Sequence, residues 1–213
     1  MSRILFPIIQ CPLDDPTLET LWAEATGRWN HTLDAKRIIT AILEAQEISS
    51  SVNKVVCFSL GSPEREEVER RKHDRGTYED FKAGRVSEVT PSMMLGSMTQ
   101  HAVALTIAAV LGLRFRRDRK PLPVHIQDPS YTSLDKELLA RKGFDIIGGW
   151  GSAAFTVMDN ESFIFASCPS VPVKQIVADI AQPVAMIWNR GWGISPEQWL
   201  TVTAKDGTAK VVV

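Results

Sequence analysis

Cysteine is scarce in this chain. Cys11, Cys57 and Cys168 lie far apart, and no Cys-x-x-Cys pair occurs. That excludes a disulfide framework or a zinc site built on paired thiols, and it fits a reducing compartment. His31, His73 and His125 show no metal-like spacing with carboxylates or thiols, so no metal site is expected. No run reaches the roughly 20 apolar residues of a membrane span. The opening "MSRILFPIIQCPLDDP" is apolar but short and is interrupted by Pro7 and Pro12, which does not suit a secretory leader. The expected setting is therefore cytoplasmic and/or nuclear, away from membranes. Excess charge of one sign is also missing. The net charge is −1, which argues against nucleic acid as a partner, and "RFRRDRK" (Arg114 to Lys120) reads as a solvated loop. Glycine-rich phosphate loops are absent as well, with no Gly-x-Gly-x-x-Gly and no Gly-Lys-Ser/Thr, and no Gly-x-Ser-x-Gly anchors a Ser-His-Asp triad.

What is present is an alternation of apolar strands and helices in 213 residues, a length that suits one α/β domain with an extension. Leu18, Leu21, Trp22 and Ala25 recur at three- and four-residue steps, predicting a helix from Pro16 to about Trp29. "NHT" offers a cap for a second helix over Leu33–Ile48, and Trp22 and Trp29 are expected to anchor these helices on the core. Lys54–Ser59, Val124–Gln127, Phe144–Ile147 and Val184–Trp188 read as buried strands, and "AKVVV" as an edge strand or a frayed end. "SMMLGSMTQHAVALTIAAVLG" reads as a central helix from Ser92 to Gly112, capped by Ser92 and stopped by Gly112. Further helices are expected over Ser133–Lys142 and in "PVKQIVADIA". "AFTVM-DNES-FIFAS" reads as a late hairpin. Glu64–Glu88 carries 15 charged residues in 25, too many to feed a core. It reads as a charged surface insertion, with a lid over the Gly61 turn as the functional alternative. Its Glu66–Arg70 and Glu67–Arg71 spacings favour an exposed helix.

This order implies right-handed crossovers and a mostly parallel sheet, a Rossmann-like three-layer α/β sandwich. Residues 1–53 form an N-terminal helical extension, and residues 54–213 the α/β domain with a charged insertion at 64–91. Ligands of such sheets gather at the carboxyl ends of strands where strand order reverses, and Gly61 and Asp128 both follow strands.

"VVCFSLGSP", "MTQHAVAL", "VHIQDPSYTSLDKELLARKGFDII" and "FIFASCPSVPVKQIV" occur in that order. Together they resemble the sensitivity-to-red-light-reduced (SRR-like) domain family, its fungal members most closely, over roughly Lys54–Trp188. The resemblance implies an α/β domain of regulatory type, with plant members linked to red-light and circadian signalling, and it assigns no reaction. Many members carry Pro-His-Cys-Pro where this chain has Ala166-Ser167-Cys168-Pro169, so histidine chemistry does not transfer here. The charged insertion before Gln100 also lengthens a link that is short in many relatives.

The candidate ligand-binding residues are Gly61, Ser62, Gln100, Asp128, Pro129, Tyr131 and Cys168. Gly61 and Ser62 would cradle an anion, or they simply end a strand. Asp128 would hold ribose hydroxyls, or it starts an Asp-Pro turn by accepting amide bonds from Ser130 or Tyr131. Tyr131 would stack on a base or pack on the rim. Gln100 faces a ligand if its helix points it to the sheet's carboxyl edge, whereas His101 reads as a hydrogen-bonded core or boundary residue. Cys168 is either a small apolar filler or a thiolate near a helix start. Trp150, in a glycine-rich turn, is a candidate partner contact. The expected partner is a small-molecule or nucleotide-like ligand, or a protein. The cofactor and the catalytic residues are left unassigned. The alternative function is a nucleotide- or S-adenosylmethionine-using transferase.

Overall fold

The structure is a computed structural model that describes residues 15–82, 96–148, 150–167, 169, 171–188, 200–203 and 209–212. In chain order the elements are α1 (Asp15–Asn30), α2 (Leu33–Glu44), β1 (Lys54–Phe58), α3 (Pro63–Lys82), α4 (Ser97–Phe115), β2 (Val124–Gln127) and α5 (Ser133–Arg141). These are followed by β3 (Phe144–Ile146), α6 (Ala153–Val157), β4 (Ser162–Ala166), α7 (Val173–Ile180), β5 (Ala185–Trp188), β6 (Leu200–Thr203) and β7 (Ala209–Val212). The strands form one sheet in the order β3-β2-β1-β4-β5-β6-β7. β1 to β5 are parallel, and β6 and β7 add an antiparallel edge.

Side chains alternate across a strand, so each central strand supplies both faces. Val55 and Cys57 of β1, with Ile126, Phe163 and Ile187 from its neighbours, pack under α1, α2, α4 and α5. Val56, Phe58, Ile164 and Met186 pack against Ala154 and Phe155 of α6 and Val173 and Val177 of α7. Phe58 and Phe155 stack with ring centroids 4.6 Å apart. The helix placement follows from handedness. Moving from β1 to β2 to β3 puts the right-handed crossovers on one face, and the return past β1 to β4 and β5 puts them on the other.

The two N-terminal helices are part of the first face. Leu18, Trp22, Ala25 and Trp29 form the buried stripe of α1, and Trp29 Nε1 donates to Thr106 Oγ1 of α4 at 3.0 Å. Thr32 caps α2, its hydroxyl accepting from the Ala35 amide at 3.0 Å. By length and composition α4 could cross a membrane. Here Ala104, Ile107, Ala108 and Leu111 are fully buried in the core, so its apolar character serves the sheet.

Three sequence expectations need correction. The late hairpin is not formed: Ala153–Val157 is helix α6, and Ser162–Ala166 is a central strand between β1 and β5. Alternating residues in "AFTVM" therefore report one buried helical face, Ala154 and Phe155, in a segment too short for its period to be read. α4 begins at Ser97 behind Gly96, and the expected Ser92 cap lies outside the described residues. Gly112 is inside α4 and does not stop it. A Cβ there would lie 2.1 Å from the Lys120 carbonyl oxygen, because the chain leaving α4 doubles back across the helix. The Leu122 amide closes that crossing on Ala108 O at 3.1 Å.

Candidate functional site

The carboxyl ends of β1 and β2 meet in one corner. Gly61 takes φ +78°, which turns the chain out of β1, and its amide donates to Asp128 Oδ2 at 2.8 Å. Asp128 Oδ1 accepts from the Ser130 amide at 2.8 Å and the Ser130 hydroxyl at 2.5 Å. Asp128 thus serves both the Asp-Pro turn and a tie between neighbouring strands. Pro129 is exposed on the outside of that turn.

A second carboxylate lies deeper. Asp135 is fully buried and accepts from the Ser62 hydroxyl at 2.5 Å, the Thr132 amide at 2.9 Å and the Glu64 amide at 2.8 Å. The Thr132 hydroxyl accepts from the Asp135 amide at 3.1 Å, completing a capping box at the start of α5. The cap is therefore Thr132, the residue just before the helix, which begins at Ser133 as expected. Thr-Ser-Leu-Asp is the sequence signal that would have shown Asp135.

Under the corner sits His101, fully buried at the first turns of α4. Its Nδ1 lies 2.7 Å from Ser97 O, a carbonyl that can only accept, so Nδ1 carries the proton. Nε2 then accepts from the Tyr131 hydroxyl at 2.8 Å. Burial pushes the His101 pKa down to about 4, against smaller raising effects from the Ser97 carbonyl, Asp135 and Asp128. Burial first, then Asp128, holds the Tyr131 phenol well above its ordinary value. Tyr131 therefore packs beneath the rim as a hydrogen-bond donor, its ring centroid 5.7 Å from that of His101.

α3 is more than a solvated charge run at its start. Glu67 is buried, and its carboxylate binds Arg70 and Arg71 at 2.7 and 2.8 Å. Glu66 does not pair with Arg70 as its spacing suggested. It reaches across to accept the Ser97 amide at the start of α4. Gly96, the N-cap, has no side chain to do this, so α3 caps α4 from outside.

Two polar atoms remain. Ser97 Oγ and Gln100 Oε1 are buried and have no hydrogen-bond partner among the described residues. Three residues apart, they lie on one side of α4's first turn. Ser97 faces the β1 turn, since a Cβ on Gly61 would lie 3.0 Å from Ser97 Cβ.

The sequence candidates Gly61, Ser62, Asp128 and Tyr131 thus converge, and Gln100 sits one helical turn from Ser97. Cys168 lies outside the described residues. Strand order reverses between β1 and β4, so the corner borders the switch point on the β2 side and does not straddle it. At the switch itself Ser59 takes a left-handed φ of +57°, and the Ser167 amide donates to Phe58 O at 3.2 Å. Sequence reading missed Glu66, Ser97 and Asp135. Among the described residues no group of three His, Cys, Asp or Glu side chains is placed to hold a metal ion.

The fold and this corner define a doubly wound α/β protein with its polar machinery at the carboxyl edge of a parallel sheet. A family model described as the SRR1 domain matches residues 30–195, which span α2 to beyond β5. The chain belongs to the SRR1 domain family. No curated protein and no solved structure shows a significant match.

Proposed function

We propose that this chain is a regulatory SRR-like protein that recognises a small polar molecule at the carboxyl edge of β1 and β2. The ligand would sit against the first turn of α4, between the Gly61 and Asp128 turns. Ser97 Oγ and Gln100 Oε1 carry this reading, because buried polar groups are nearly always paired in folded proteins. Two such atoms on one turn, beside a loop at a strand's carboxyl end, suit contacts completed by a bound molecule. Gly61, Ser62, Asp128 and Tyr131 would act as its framework, holding the walls by the bonds described above.

The test is a thermal-shift screen against small metabolites, including adenosine, S-adenosylmethionine and NAD. A cognate ligand at 100 times its dissociation constant adds about 2.7 kcal/mol of stability. The expected result is a shift that is lost in Ser97→Ala and in Gln100→Ala. Shifts indifferent to both substitutions would place recognition elsewhere on the molecule.

A further inference from the structure

We infer that the ligand of this corner is a neutral or cationic hydrogen-bond donor, a hydroxyl- or amine-bearing molecule, and that the corner excludes phosphate. The inference rests on the binding role proposed above and names the chemistry of its occupant. In doubly wound sheets, the amides of the first strand's turn and of the following helix's N-terminus are the donors that receive phosphate. Here the chain's own carboxylates hold one amide of the β1 turn and one at the start of α4. Asp128 takes the Gly61 amide, and Glu66 takes the Ser97 amide. Asp135 takes the Ser62 hydroxyl and the Glu64 amide, two further donors of that turn.

Among the described residues no Lys or Arg pairs with Glu66, Asp128 or Asp135, whereas Glu67 one position on is bound by Arg70 and Arg71. His101, buried beneath the corner, is kept neutral by burial, with Nε2 accepting from the Tyr131 hydroxyl. An arriving phosphate would meet three carboxylates that no Lys or Arg among the described residues neutralises in an ion pair. Among the buried side-chain atoms of the described residues, those left without a partner are Gln100 Oε1, which accepts only, and Ser97 Oγ, which is 3% exposed and can accept as well as donate. Both suit a donor.

A ligand-observed NMR screen of the full chain tests this. The fragment set is balanced between polyols, nucleosides and amines on one side and phosphates and sulfonates on the other. Adenosine with AMP, and inorganic phosphate alone, serve as matched probes. Binding at the corner is identified by loss in Ser97→Ala and Gln100→Leu. Each variant removes an unpartnered atom, and near-ultraviolet circular dichroism checks that its fold is kept. The expected outcome is corner-specific hits drawn from the neutral and cationic set, about tenfold weaker in each variant, with no response to phosphate. Corner-specific hits from the anionic set would overturn this inference and leave the proposed function standing. A screen in which no hit of either class responds to the two substitutions would overturn both.

Discussion

The corner contains two kinds of polar residue. Asp128 and Asp135 accept three donors each and hold two turns and a helix start in place. Ser97 and Gln100, on the neighbouring turn of α4, have side-chain atoms that nothing in the described chain meets. The carboxylates are therefore the framework, and the two α4 side chains have capacity to spare. A buried carboxylate with all its bonds made stabilises the native state, whereas a buried hydroxyl or amide with none costs stability until something binds.

The sharpest way to break that contrast is Asp135→Ala. It strands the Ser62 hydroxyl and the Thr132 and Glu64 amides in a buried site. Unfolding free energy by urea should drop by about 3 kcal/mol or more. A drop under about 1 kcal/mol would mean that Asp135 is not framework. Next is pH. The unfolded state protonates His101 near the ordinary histidine value of 6.5, and the folded state does so only near 4. Between those values the unfolded state binds more protons, so stability is full above 6.5 and falls as pH is lowered toward 4. The total loss is about 3 kcal/mol, and His101→Gln should flatten that part of the curve.

Glu66→Ala should cost about 1 kcal/mol through the lost cap on α4, and amide exchange at Ser97 should quicken. An unchanged exchange rate would cut α3 out of the corner. The smallest effect has the opposite sign. Ser97→Ala removes a buried hydroxyl without a partner and should raise stability by roughly 0.5–1 kcal/mol in the ligand-free protein. A loss of stability there would mean that Ser97 Oγ makes a structural bond and belongs with the carboxylates.

Local sequence was a good guide where one element's pattern is self-contained. β2 occupies Val124–Gln127 as expected, because a run bounded by Pro123 and an Asp-Pro turn has little choice of ends. Trp22 and Trp29 fall on the buried stripe of α1 because they share its period. Asp128 was legible as a turn former, Gly61 as a strand terminator and His101 as a satisfied core residue. Glu66, Ser97 and Asp135 were not singled out. Glu66 was read against Arg70 on its own helix, the nearest partner by spacing, but it bonds an amide thirty-one residues away. Gly112 looked like a helix stop, whereas the return of the chain at Lys120 is what requires it.

By itself, the order of apolar runs determined that this chain would fold as a parallel α/β sheet, since right-handed crossovers leave little freedom. It also placed Gly61 and Asp128 at strand ends. Tertiary structure alone decided which polar atoms would be used up. Hydrogen-bond satisfaction depends on what a distant segment brings within about 3 Å, and spacing along the chain does not encode that distance. That is why Asp128 became framework while Ser97 Oγ and Gln100 Oε1 were left without partners among the described residues.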